Sequence, residues 1–353
     1  MSAGVIAFTA LSLCCAPAQG AAQIDRAELG RLSLSLVKVE TADADGRISL
    51  GTGVSVGPEH VVTACHVTRR AESIHVQQGG IQLLAVAQLP DTLHDLCLLS
   101  VPGLTAPPAK LGHADSLRLG EPVYALGFEG GLALRARAGV VRAVHAYDGA
   151  RVVESTTAFT SGASGGALFD SEGELVAILT YRLRGDRLSY FCVPVEWFAR
   201  KLGGDDAYVP VAPLEGALPF WQQRVQELPF FLRAHQLEAG GDWIGLLTLT
   251  DEWARIEDTN PEPWLFRGKS LAQTRDLPAA RLAFLRAVAL DPISGNAWLQ
   301  LGRLSAQNGL TEEAQAALAE LNRLNPELAH CLALVLRPGD QEDDSALNAC
   351  SAI

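Results

Sequence analysis

The apolar residues of this chain change their period once, near residue 220, and that change divides what its 353 residues can become. From about Leu32 to Val209 the sequence is a series of short β-type runs cut by Gly, Pro, Asp and Asn. They are Leu32–Val39, Gly53–Val56, Val61–Ala64, Ile81–Ala87, Leu96–Val101, Pro122–Gly127, Val140–His145 and Leu175–Thr180. Strands at this spacing, with no helical pattern between them, predict an all-β barrel or sandwich. Val195–Leu202 is the first helical pattern and closes the β-rich unit, while the Pro-containing Tyr208–Pro219 reads as a linker. From Phe220 onward apolar residues recur every three to four positions, the period of amphipathic helices. The length suits two domains. The expected division is 25–207 for a β-rich domain, 208–229 for a linker, 230–336 for helices and 337–353 for an acidic tail.

The helical part repeats itself. Trp264 and Trp298 stand 34 residues apart, and the same offset relates Gly268 to Gly302, Ala280 to Ala314, Phe284 to Leu318 and Pro292 to Pro326. This pattern resembles the tetratricopeptide repeat, with Trp and Gly on one helix, Ala early on the next and Pro after its end. The glycine permits close helix approach, and the proline stops the second helix. Phe230–Pro261 reads as a degenerate earlier copy with Trp253 in the place of Phe284, and Leu328–Leu336 as the start of a capping helix. These residues are most simply the core of stacked helices. The resemblance implies a concave face for an extended peptide or a partner protein.

Residues 1–20 are read as a signal peptide. Gly4–Cys15 is uncharged, apolar and too short to span a bilayer, and Ala16-Pro17-Ala18 follows with the small residues of a cleavage site. The expected location is periplasmic or secreted. A formal charge of −12 argues against nucleic acid or an anionic membrane surface as the main partner. No cysteine pair has metal-ligand spacing, so neither a zinc site nor any cofactor is expected. Cys65, Cys97 and Cys192 lie in apolar runs and read as small buried hydrophobes. In an oxidising compartment Cys331 and Cys350 could pair and tether the tail.

Three segments carry chemistry. Val61–Ala64 leads through Cys65 to His66, a histidine at a strand end; Asp95 opens the apolar run Leu96–Leu99; Gly162-Ala163-Ser164-Gly165-Gly166 holds a hydroxyl among glycines. A serine is a poor nucleophile without a base to take its proton, and a carboxylate fixes that base's tautomer. Glycines allow the tight turn on which the amides of Gly162 and Ser164 converge as an oxyanion hole. Each segment alone is commonplace, whereas their joint occurrence in the order His, Asp, Ser within one β-rich stretch points to a catalytic triad. His94, beside Asp95, lacks the strand context of His66 and reads as a surface residue.

On these residues, 32–203 resemble the trypsin/chymotrypsin family, and more closely its HtrA-like bacterial branch. The resemblance implies two six-stranded barrels, with His66 and Asp95 on the first and Ser164 on the second. It implies a serine endopeptidase with a polypeptide substrate and no metal. By the match of Gly173–Tyr181 to the strand lining the specificity pocket, Thr180 should hydrogen-bond Asp95, and Tyr181 lies on that same strand. Ala158 falls at the pocket bottom with Phe159 and Leu179 nearby, which implies a small or aliphatic side chain rather than Arg or Lys. The family's disulfide near the histidine is not expected here. Two other readings stay open: a catalytically silent scaffold acting through its repeats, and an ester hydrolase, which the order of the three residues disfavours.

Overall fold

A computed structural model describes residues 24–184, 188–202, 204 and 206–336. The expected signal peptide, the acidic tail and Cys350 lie outside them. After a short helix α1 (Arg26–Ser33) come β1 (Leu36–Ala42), β2 (Ile48–Gly57), β3 (His60–Ala64), the single turn α2 (Cys65–Thr68), and β4 (Ser73–Gln78), β5 (Ile81–Leu84), β6 (Ala87–Asp91) and β7 (Leu96–Ser100). Next come β8 (Pro122–Glu129), β9 (Ala133–Tyr147), β10 (Ala150–Ser155), β11 (Ala167–Phe169), β12 (Leu175–Arg184) and β13 (Leu188–Pro194). The turn α3 (Glu196–Ala199) and the short β14 (Val209–Pro210) end the β-rich part.

Strands β8 to β13 close into a six-stranded barrel in the order β10-β13-β12-β11-β8-β9, all antiparallel, with β9 pairing back onto β10. The first half is not the six-stranded barrel expected. It is an eight-stranded sheet, β14-β6-β7-β3-β2-β1-β4-β5, because β14 adds to one edge and the expected run Ile81–Ala87 splits into parts of β5 and β6. The start of the expected run at Leu32 is likewise the end of α1, whose Asp25 side chain caps the first turn.

Strand alternation distributes the core. In β7, Leu99 points into a cluster with Val37, Val39, Val61 and Ile74, while Leu96 and Leu98 join a second cluster with Val54, Val62, Tyr124 and Phe169. In β12, Leu179 faces the barrel interior with Val123, Val141 and Val153, while Ile178 faces that second cluster. Strands covered on both faces explain why their sequences are continuous apolar runs rather than alternating ones. Each Val or Leu so buried contributes roughly 1.5–3 kcal/mol.

The helical region forms α4 (Phe230–Ala239), α5 (Trp243–Ile256), α6 (Glu262–Gln273), α7 (Leu277–Leu290), α8 (Gly295–Gln307), α9 (Thr311–Leu324) and α10 (Pro326–Leu336). The even spacing read from the sequence reappears in their ends: α5, α7 and α9 finish at Ile256, Leu290 and Leu324, each 34 residues after the last. A Cβ at Gly268 would overlap the Phe284 ring, so that glycine is what lets α6 and α7 meet. The core cluster between the strands continues into this region through Phe231, Leu246, Trp253 and Phe266. Among the described residues no helix is long and apolar enough to cross a membrane.

Candidate active site

Strand β3 carries the chain to His66, which sits in the single turn α2 immediately after it. Asp95 ends the hairpin between β6 and β7 in a left-handed conformation, φ 60°, that Asp tolerates better than most residues. Three hydrogen bonds hold it there. Its carbonyl accepts from the Cys65 N–H at 3.1 Å, its Oδ1 from the His66 N–H at 2.7 Å, and its Oδ2 from the His66 ring at Nδ1, 2.6 Å away. The Asp95 side chain is fully buried, whereas that of His66 is 27% exposed. Such a pairing fixes the ring as the Nδ1–H tautomer and leaves Nε2 as a proton acceptor.

Ser164 lies on the turn between β10 and β11, and that turn is bound to the first sheet. The Thr52 N–H donates to the Ser164 carbonyl at 2.8 Å, and the Thr52 hydroxyl donates to the Gly162 carbonyl at 2.8 Å while accepting from Phe128 N–H. Gly165 has φ +84°, and a Cβ there would collide with the Thr52 carbonyl and the Thr63 hydroxyl. Only glycine lets the turn press this closely onto β2 and β3. The N–H groups of Gly162 and Ser164 donate to no atom among the described residues, as two donors reserved for an oxyanion would. The structure thus brings His66 and Asp95 into direct contact. It pins the Ser164 backbone to β2, beside the strand that delivers His66.

Several expectations are corrected. Thr180 does not bond Asp95: its hydroxyl donates to the Ile178 carbonyl on its own strand at 2.9 Å, and the Asp95 oxygens are taken by His66. Cys65 and Cys97 are not free hydrophobes but form a disulfide, Cα–Cα 5.0 Å, because β3 and β7 pair with Thr63 opposite Cys97. Cys192 is free and buried, and burial pushes its thiol up, so it stays protonated. His94 is 9% exposed rather than at the surface. It stacks on Trp197 and bonds Asp91 at 2.9 Å and Asp148 at 2.8 Å, linking the sheet to the barrel. Of the expected pocket residues, Ala158 is exposed, while Phe159 and Leu179 are buried in the barrel interior near Tyr190.

Sequence reasoning missed Trp221. It lies in the segment read as a linker, yet its indole stacks on Tyr181 with ring centroids 4.9 Å apart and meets His66 edge-on at 5.7 Å. The chain leading to it is anchored twice, by Leu214 N–H to the Arg69 carbonyl and by buried Phe220, whose N–H donates to the Leu93 carbonyl. Both Tyr181 Oη and Trp221 Nε1 are buried without a hydrogen-bond partner among the described residues. A Phe-Trp pair between prolines was the only sign in the sequence.

Residues 51–178 match the family model of the trypsin-like peptidase domain. Curated relatives described as "Probable periplasmic serine endoprotease DegP-like" include one from Marinomonas, 33% identical over 139 residues, covering 37% of this chain and 29% of that protein. Another, from Ectopseudomonas mendocina, is 31% identical over 157 residues, covering 42% of this chain and 33% of the relative. The chain therefore spans about a third of the length of the curated relatives it matches. Among solved structures, the active form of the Rv3671c protease of M. tuberculosis superimposes with TM-score 0.49 at 24% identity, over 60% of this chain and 98% of that one. The HtrA-type protease AlgW gives 0.46 at 24% identity, over 49% and 60%. The chain thus carries a trypsin-like peptidase domain with DegP-like relatives, followed by a helical region.

Proposed function

We propose that this protein is a serine endopeptidase in which Ser164 is the nucleophile, His66 the general base and Asp95 the group that orients it. The observation that carries the reading is the fully buried Asp95 carboxylate, which accepts from both the backbone and the ring of a partly exposed His66. His66 Nε2 takes the Ser164 hydroxyl proton as the oxygen attacks the scissile carbonyl, and the Gly162 and Ser164 N–H groups receive the oxyanion. The imidazolium returns the proton to the leaving amine, forming the acyl-enzyme. Water deprotonated by His66 then releases the acid and restores the serine.

The domain is taken as 25–207, the connecting segment as 208–229 and the helices, 230–336, as tetratricopeptide-like repeats. The 34-residue spacing of helix ends supports that assignment, as do Asp242 and Asp276, which cap α5 and α7 at the same offset. Their concave face would bind substrate or a partner protein. A periplasmic or secreted location is supported by the Cys65–Cys97 disulfide, which an oxidising compartment favours, and by the relatives' description. A fluorophosphonate probe tests the activity, since it reacts with a serine only where base and oxyanion hole work together. Labelling of wild type that vanishes in Ser164→Ala supports the peptidase. A folded wild type that neither labels nor cleaves a peptide library supports the silent scaffold.

A further inference from the structure

Away from the triad, three side chains from three elements converge at the seam between the closed barrel and the helices: His145 of β9, Glu154 of β10 and His235 of α4. Glu154 Oε2 lies 3.4 Å from His145 Nε2 and 3.4 Å from His235 Nε2, and the three atoms all fall within 4.8 Å of one another. The side chains of His145 and Glu154 are each 2% exposed. His235 Nε2 is buried and has no hydrogen-bond partner among the described residues. The cluster borders a cavity of about 790 Å³.

The outer atoms of the cluster are arranged to orient the inner ones. His145 Nδ1 donates to Glu262 Oε1 at 2.6 Å and its Nε2 faces Glu154 Oε2 at 3.4 Å, so the ring is held in one orientation between two carboxylates. His235 Nδ1 is 4.0 Å from Glu238 Oε2, on the side away from Glu154. Arg142 approaches the other oxygen of Glu154, Oε1, at 3.5 Å, so Oε2 remains for an inner partner. Two imidazole nitrogens and a carboxylate oxygen turned toward one point form a ligand set in which a metal ion can take the place of the protons between them. Zinc bonds to His nitrogen and carboxylate oxygen are about 2.0–2.2 Å, so neighbouring ligands of a tetrahedral site stand about 3.3–3.5 Å apart. Both contacts of Glu154 match that separation.

We propose that His145, Glu154 and His235 bind a divalent transition-metal ion of the zinc type, with its remaining position open to water from the cavity, and that the ion clasps α4 onto the barrel. Carboxylates behind ligating histidines, as Glu262 stands behind His145, are the usual support of such sites. The spacing of cysteines and histidines along the chain gave no sign of it, because residues 145, 154 and 235 meet only when the helices dock. The proposal is independent of the peptidase reading, and its test needs no activity.

Chelator-stripped full-length protein is titrated with Co²⁺ and, by calorimetry, with Zn²⁺. The expected result is one equivalent bound, visible absorption bands of four- or five-coordinate cobalt, and a higher unfolding temperature with Zn²⁺. His235→Ala is expected to weaken binding at least about 100-fold and Glu262→Gln about 10- to 100-fold. Absence of the cobalt bands in wild type overturns the proposal and leaves a charge-paired histidine cluster. Undiminished affinity in a folded His235→Ala also overturns it and places the ion on surface histidines. Should that variant fail to fold, carbonate-ester modification of wild-type histidines decides. Zinc must protect His235 while His113 stays reactive, and equal reactivity with and without zinc refutes the site.

Discussion

At the scale of single residues, the candidate site depends on how firmly two side chains are fixed. Asp95 accepts from His66 twice, so Asp95→Asn keeps much of the shape but changes which ring nitrogen bears the proton. A fall in kcat of about 10⁴ with an unchanged circular dichroism spectrum is expected; near-normal turnover would remove Asp95 from the proposed mechanism. The disulfide joins the residue before His66 to Cys97, 32 positions on. Closing a loop of that size in the unfolded chain contributes roughly 3–4 kcal/mol. Double replacement by Ser is expected to lower the urea-unfolding free energy by about that amount, and a loss below about 1 kcal/mol would show the bridge to be incidental to stability. The sequence displayed both cysteines but not their pairing, because only the register of β3 on β7 brings them together.

At the scale of elements, two connections between sheet, barrel and helices stand out. The segment before α4 lays Trp221 against His66 and Tyr181, covering part of the face of His66 that the proposed mechanism assigns to substrate. Trp221→Ala is therefore expected to raise kcat/KM for bulky peptides several-fold and to speed probe labelling, whereas a fall would identify the indole as a wall that grips substrate. The second connection is polar. Asp91 accepts from His94 at 2.9 Å and from Lys201 at 2.8 Å, while His94 reaches Asp148 on the hairpin between β9 and β10. Burial alone would raise the Asp91 carboxyl, but the hydrogen bonds from His94 and Lys201 outweigh it and hold its pKa at about 2, below the usual 3.8. The lowered folded value means that this stabilisation is complete above pH 3.8 and disappears as pH falls toward 2. Urea midpoints measured across that window should drop in wild type more steeply than in Asp91→Asn; parallel curves would deny the linkage.

At the scale of the whole molecule, the helical region is not an appendage on a tether. Phe231 of α4 stacks on His145 with centroids 4.5 Å apart and packs near Phe191 of β13, and Asn325 donates to the Leu119 carbonyl at 2.6 Å at the other end of the helices. A core shared in this way couples the two parts, so calorimetry is expected to show a single unfolding transition. Phe231→Ala, which empties a fully buried site in the shared core, should cost about 3–5 kcal/mol and lower that one transition. Two separated peaks in wild type would mean that the peptidase domain and the helices fold independently.

The sequence alone determined the change from β to α structure, because periodicity is a local property. It also marked the 34-residue helical spacing, whose Trp, Gly and Ala positions are set within each helix pair. His66, Asp95 and Ser164 could be singled out because each stands in a short context of strand end, turn or glycines, and the structure joins the first two. Only the tertiary structure decided the partners of buried groups: the Cys65–Cys97 bridge, the turn of Thr180 to its own strand, His94 between two acids, and Trp221 on His66. The joining of His145 and Glu154 to His235 belongs to the same class. Apart from the local bonds of Thr180 to Ile178 and of His94 to Asp91, these contacts link residues dozens to scores of positions apart, so they arise from strand register and helix docking and leave no periodic trace in the chain.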